Sequence, residues 1–380
     1  MIETVHFQNF KALRDLTVLL DRFTVLVGPN ASGKTSVLEG LAYVHRCRAH
    51  PTEPRWPFRG AGDPSALCSR GGPDSFRIRC EGARDQDRLI VSLAVELLGD
   101  GPWDPWHWSF EAHHRGEVVR LPQSREPDPS ESAVLDAAVP SVAFLRLDAK
   151  RLAEPAYSDA LVPEIGPDGA GLAAVLAEML ISRAEDFRRV ERALAAVVPS
   201  VERIRLERAP VRRVEQHRIS IDGTSTMSAI EREYVGHRVV FDMRGAPSLP
   251  AHAASEGTLV ALGLLTAIVS RSGPHLVLID DLERAVHPKA LIDLVDQLRA
   301  LLDLFPGLQI VATSHSPYLV DLFEPREVRM TMMDERGSTL CARIDEHPEF
   351  ERWRAFMAPG EIWSMIGEEW VRDRAVGAHG

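Results

Sequence analysis

The chain has 380 residues, 45% hydrophobic and 26% charged, with a formal net charge of -11. That length buries the core of one large domain or two modest ones, and the acidic balance excludes a protein that coats nucleic acid over its whole surface, though not a local basic patch. The opening residues MIETVHFQNF lack the basic stretch, apolar run and cleavage site of a secretion signal, and no run reaches the roughly 18 apolar residues that span a bilayer, so a cytoplasmic protein without membrane contact is expected.

Alternation in Ile2–Phe7 predicts a strand, and the apolar run Phe23–Val27 a short buried one. A glycine-rich turn and a helix beginning near Lys34 follow. At the end of that helix His45, Cys47 and His50 lie close together, but no second ligand pair stands further along, so zinc spacing is not met. Cys47, Cys68, Cys80 and Cys341 are sparse and irregularly spaced, as suits reduced thiols. The Pro/Gly-rich stretch from His50 to Pro73 reads as an irregular insertion.

Alternating segments between residues 75 and 120 predict an antiparallel sheet. Within them Trp103, Trp106 and Trp108 favour packing in a hairpin over a base-stacking platform. Gln123–Pro140, rich in Pro, Ser and acid, reads as an exposed loop, and Val142–Leu147 as a strand. From Gly169 to Val198 apolar residues recur at helical spacing, and 201–242 return to strand-like alternation. The stretch 183–218 is the most basic of the chain, with Arg183, Arg188, Arg192, Arg205 and Arg212 among its cations. Glutamates interleave throughout, the pattern of an ion-paired solvated face; a DNA-contacting patch is the alternative. From Ala253 onward helix, strand (Leu276–Ile279), helix, strand (Gln309–Ala312) and helix alternate, which predicts a parallel sheet covered by helices. Glu349–Val376 reads as a helical cap on the core or, equally, as a segment that holds a partner protein.

The turn Gly28-Pro29-Asn30-Ala31-Ser32-Gly33-Lys34-Thr35, with Ser36 beyond it, fits the P-loop pattern in the strand-to-helix context the pattern requires. Glycine lets the backbone curl so that successive N–H groups converge on phosphate oxygens, and the helix N-terminus adds partial positive charge. Lys34 would supply full charge to the β- and γ-phosphates of ATP, and the Thr35 hydroxyl a ligand to Mg²⁺. Downstream, Leu276–Ile279 runs into Asp280 and Asp281, the Walker B arrangement. Asp280 would hold Mg²⁺ through its water shell, and Asp281 stands where the general base for the attacking water is expected. Ser255 and Gly257 open a helix whose N-terminus can donate to an anion. His315, in Val311-Ala312-Thr313-Ser314-His315-Ser316-Pro317, can donate to a γ-phosphate.

In this order the P-loop, serine-bearing helix, Walker B and histidine turn resemble the parts of ABC ATPases. Asn9-Phe10-Lys11, Ser255-Glu256-Gly257-Thr258, His287-Pro288 and Thr313-Ser314-His315-Ser316-Pro317 resemble in particular the bacterial ATPases related to RecF, SMC proteins and the OLD family. The resemblance implies an α/β P-loop NTPase of ABC type, a mixed or parallel sheet core with an antiparallel β lobe and a helical insertion. It divides the chain into 1–150 (N-terminal part of the head), 151–245 (insertion), 246–345 (C-terminal part of the head) and 346–380 (tail). It implies a homodimer that sandwiches ATP, with Gly33, Lys34, Thr35, Asp280, Asp281 and His315 acting in cis and Ser255 and Gly257 in trans. A glutamine that senses Mg²⁺ is also implied, and Gln86 and Gln123 are both available.

Such ATPases usually have glutamate where Asp281 stands. The shorter side chain implies slow hydrolysis, or a share of the role for Glu283, whose other reading is a structural hydrogen bond. The function expected is an ATP-driven switch acting on a separate effector protein or on DNA, in the setting of anti-phage defence. A RecF/SMC-type DNA-maintenance ATPase and a transporter subunit are the alternatives.

Overall fold

The structure is a computed structural model that describes residues 1–49, 58, 64–84, 87–97, 106–122, 125–221, 224–270 and 275–377. Two compact units divide the chain: Met1–Phe144, Gly273–Glu283 and Leu302–Gly380 form one, Leu145–Ser272 and Arg284–Leu301 the other.

In chain order, the first unit supplies β1 (Ile2–Phe10), β2 (Leu13–Leu19), β3 (Phe23–Val27), α1 (Lys34–Ala49), β4 (Ser75–Arg84), β5 (Asp87–Leu97), β6 (Trp106–His114), β7 (Glu117–Pro122), α2 (Pro129–Ala138) and β8 (Val142–Leu145). The second contains α3 (Ala149–Ala153), α4 (Leu172–Ser182), α5 (Ala184–Val197), β9 (Val201–Ile221), β10 (Thr224–Met243), β11 (Ala246–Pro250) and α6 (Glu256–Ser270). After β12 (Leu276–Ile279), α7 (Pro288–Leu304) leads to β13 (Gln309–Ser314), α8 (Pro317–Val320), β14 (Val328–Met333), β15 (Thr339–Arg343), α9 (Phe350–Trp353), α10 (Pro359–Ile366) and α11 (Trp370–Gly377). No helix among the described residues is long and apolar enough to cross a membrane.

The first unit contains two sheets. One is antiparallel, ordered β2-β1-β4-β5-β6-β7, and is the sheet expected between residues 75 and 120 with β1 and β2 added at its edge. The other runs β15-β14-β3-β13-β12-β8, with β14, β3, β13 and β12 parallel. Every residue of β3, β12 and β13 is buried, which is why these strands read as continuous apolar runs instead of alternating ones. Phe7, Phe10, Leu13, Phe76, Trp108 and Phe110 belong to one buried cluster with residues of α1. Trp108 is fully buried, so it is packing and not an exposed stacking platform; Trp103 lies outside the described residues.

Asn9-Phe10-Lys11 turns β1 into β2. Asn9 and Lys11 adopt φ of 57° and 51°, the Asn9 amide donates to the Pro73 carbonyl at 2.6 Å, and Lys11 pairs with Glu39 of α1. These residues thus shape a turn. The loop expected over Gln123–Pro140 is corrected: α2 occupies Pro129–Ala138. Asp128 caps it by accepting from the Ser130 and Glu131 amides at 2.8 and 2.9 Å, with Pro129 first in the helix and Glu131 closing a capping box. Pro, Ser and acid here are helix-start chemistry.

In the second unit β9 and β10 pair in antiparallel register along almost their whole length, from Val201↔Met243 to Ile221↔Thr224. Ion pairs occupy the basic stretch: Arg188 and Arg192 with Glu185, Arg189 with Asp186, Arg205 with Asp242, and Arg212 with Glu231 and Glu233.

Candidate nucleotide site

Side-by-side parallel strands bring their C-terminal ends to one edge, where ligands gather in such sheets. β3 ends at Val27 and the chain curls before α1 begins at Lys34. Gly28 and Gly33 take φ of 145° and 96°. A Cβ on Gly28 would strike the Thr331 carbonyl oxygen, and one on Gly33 the Thr339 hydroxyl. Only glycine lets the loop lie this close to β14 and β15. Asn30 is exposed and Ser36 half-buried, whereas Ser32 and Lys34 are buried.

Lys34 is 4% exposed. Its ammonium donates to the Gly28 and Pro29 carbonyls at 2.9 and 2.8 Å and lies 3.4 Å from His315 Nδ1. Burial pushes its pKa down to about 8, against the opposite pull of Asp281, Asp280, Glu283 and Glu368. Glu368 belongs to the C-terminal tail, and no motif in the sequence pointed to it.

At the end of β12, Asp280 Oδ1 accepts from the Thr35 hydroxyl and from the Thr313 hydroxyl, each at 2.9 Å. Thr313 in turn accepts from the Asp281 amide at 2.8 Å. Asp281 adopts φ of 60°, a left-handed conformation that aspartate tolerates better than most residues. Its Oδ1 lies 3.6 Å from His315 Nε2. Glu283 accepts from the His315 amide at 2.6 Å, so one of its oxygens holds the histidine turn in place. The Thr35 hydroxyl, in the first turn of α1, and the Asp280 carboxylate, just past β12, are hard oxygen donors of the kind a magnesium ion takes, and they fit it.

The structure therefore brings Gly28, Ser32, Gly33, Lys34, Thr35, Asp280, Asp281, Glu283 and His315 together in the first unit. Ser255 and Gly257 belong to the second. There Ser255 Oγ accepts from the Thr258 amide at 3.2 Å and pairs with the Thr258 hydroxyl at 2.7 Å, capping α6. A Cβ on Gly257 would meet the Ala285 carbonyl. His287 accepts from the Lys289 amide at 3.2 Å and heads α7. Gln86 and Gln123 lie outside the described residues, as does His50, while Cys47 is fully buried. Thr313, Thr331 and Glu368 went unrecognised in the sequence. Thr313 lies within the histidine segment and was open to being found; the other two reach the site through tertiary structure alone.

Solved SMC heads share this architecture. The SMC head bound to the C-winged helix domain of ScpA is 12% identical, with a TM-score of 0.57 over 90% of this chain and 96% of that one. The Pyrococcus furiosus head with an extended coiled coil, bound to the C-terminal domain of ScpA, is 12% identical, with a TM-score of 0.51 over 93% and 99%. The fold is that of a P-loop ATPase head. Residues 103–321 match the family described as "AAA domain, putative AbiEii toxin, Type IV TA system", and residues 1–49 that described as "AAA ATPase domain". The chain belongs to the first of these families and is an ATPase of the AAA type.

Proposed function

We propose that the protein is an ATP-driven switch in which two copies close around ATP and reopen on hydrolysis. The observation that carries this is the convergence of Lys34, Thr35, Asp280, Asp281 and His315 at one edge of the parallel sheet. The P-loop amides and Lys34 bind the β- and γ-phosphates, and His315 donates to the γ-phosphate. Thr35 and Asp280 hold Mg²⁺, which neutralises charge on the phosphate oxygens when bound. Asp281 orients the attacking water and takes its proton, and Glu283 fixes the backbone of His315 and acts as a positioning residue. Ser255 and the Gly257 amide, at the start of α6, complete the site on the partner's nucleotide.

The family description names a toxin of a type IV toxin–antitoxin system, and the related SMC heads were solved with a separate protein on them. The first supports a defence setting, and the second a head that passes closure to a separate effector protein. The ion pairs across the basic stretch favour that effector over DNA.

Mixing two inactive variants tests the sandwich. Lys34→Ala and Ser255→Arg each remove one half of every site. Equal mixing leaves half of the dimers mixed, and each of these has one intact site, so about a quarter of wild-type turnover should return. Mixtures as inactive as their components rule out a site shared between copies.

A further inference from the structure

β14 and β15 lie beyond the matched residues 1–49 and 103–321, and no sequence motif reaches them, yet both press against the P-loop. Thr331 is fully buried and donates its hydroxyl proton to the Val27 carbonyl at 3.0 Å. A threonine hydroxyl has one proton. The 2.7 Å bond between Ser32 Oγ and Thr331 Oγ1 is therefore donated by Ser32. That orientation turns a lone pair of Ser32 Oγ toward Lys34 Nζ, 3.5 Å away. The Thr331 carbonyl and hydroxyl oxygens also stand where a side chain on Gly28 would fall, so this one residue braces the loop at both of its ends.

We infer that Thr331 is a positioning residue for nucleotide binding: its hydroxyl fixes the direction of the Ser32 hydroxyl, and Ser32 with the Gly28 carbonyl holds the Lys34 ammonium at the mouth of the phosphate cradle. With valine at 331 the Ser32 proton loses its acceptor. The serine hydroxyl is then free to turn its proton toward the ammonium, and the Val27 carbonyl, just before Gly28, loses its donor. The inference rests on the proposed binding of ATP at Lys34.

The test is titration of the full chain with mant-ATP, together with steady-state turnover. Thr331→Val should weaken affinity about fivefold to tenfold, the range expected for one buried hydrogen bond, and turnover at saturating ATP should stay within about twofold of wild type. Thr331→Ser, which keeps the hydroxyl, should bind as wild type. Ser32→Ala should lose as much as Thr331→Val, and the double variant no more than either, because the two hydroxyls form one chain.

Wild-type affinity in Thr331→Val, an equal loss in Thr331→Ser, or losses that add in the double variant overturn the inference. A fall in saturating turnover with affinity unchanged assigns Thr331 to structure alone and overturns it too. Should Thr331→Val fail to give folded protein, the comparison of Ser32→Ala with Thr331→Ser decides in the same way. Lys34→Ala run alongside separates the two levels. Retained affinity there removes the P-loop reading and this inference with it, whereas lost affinity beside a wild-type Thr331→Val removes this inference alone.

Discussion

Replacing Lys34 by methionine should make the protein more stable while removing its capacity to bind ATP. Lys34 is held at about 8 against 10.5 for a solvated lysine, with desolvation as the leading cause. That difference sets about 3 kcal/mol against the charged form in the folded protein. Its folded pKa is lowered, so between 8 and 10.5 the unfolded chain binds more protons than the folded one, and stability rises with pH across that window. The gain from Lys34→Met should be fully present below pH 8 and fade as pH climbs toward 10.5. For a chain of this length unfolding together it amounts to about 3 °C in Tm. The assay is thermal unfolding of both proteins at pH 7 and pH 9.5, with and without ATP and Mg²⁺. Wild type should gain from ATP, because the triphosphate supplies the ammonium with counter-charge, and Lys34→Met should not. A nucleotide-free variant less stable than wild type at pH 7 would show that the hydrogen bonds to the Gly28 and Pro29 carbonyls outweigh the cost of burying the charge, and would refute the reasoning.

Asp281→Asn should bind ATP and lose turnover by about a hundredfold or more. Asp281→Glu should raise turnover but lower stability by about 1 kcal/mol, since glutamate has less tolerance for the φ of 60° found there; loss of turnover in the glutamate variant would remove Asp281 from the role of base. Glu368→Gln takes away a carboxylate that acts on Lys34 and should tighten ATP binding about twofold, read in the same mant-ATP titration. Thr339→Val should stabilise the protein by about 1 kcal/mol in denaturant unfolding, because the Thr339 hydroxyl is fully buried without a hydrogen-bond partner among the described residues. Burial pushes the Cys80 thiol up to about 12 and Cys47 higher still, so at pH 8 neither should react with a thiol reagent until the protein is unfolded; labelling of either in the folded chain, located by peptide mapping, would contradict their burial.

The fold was legible where one local pattern decides an element. Phe23–Val27 and Leu276–Ile279 are apolar runs too short for helices, and both became buried parallel strands. The spacing between Leu172 and Leu194 became α4 and α5. Legibility failed where composition stood in for chemistry. The Asp128-Pro129-Ser130-Glu131 start signal was there to be read, but the richness of its surroundings in Pro and Ser hid the helix. In the site, the P-loop and the Asp280-Asp281 pair are continuous in sequence and so carry their own spacing. Asn9-Phe10-Lys11 and His287-Pro288 marked the family yet serve a turn and a helix start. Thr331 and Glu368 come to Lys34 from about 300 residues away, and no spacing rule spans that distance.

The neighbours of β3 in the sheet are β13 and β14, and both belong to the last quarter of the polypeptide. A ribosome therefore releases the nucleotide-binding strand long before anything exists to pair with it. At roughly 5–20 residues per second, Phe23–Val27 emerges some 15–60 s ahead of its partners. For that interval a five-residue segment of Phe, Thr, Val and Leu has both edges open, which is the profile of a stretch prone to aggregate. Folding of the catalytic unit must wait until synthesis is nearly finished. Production of this protein should accordingly respond to slower translation or to extra chaperone more than to changes at its surface.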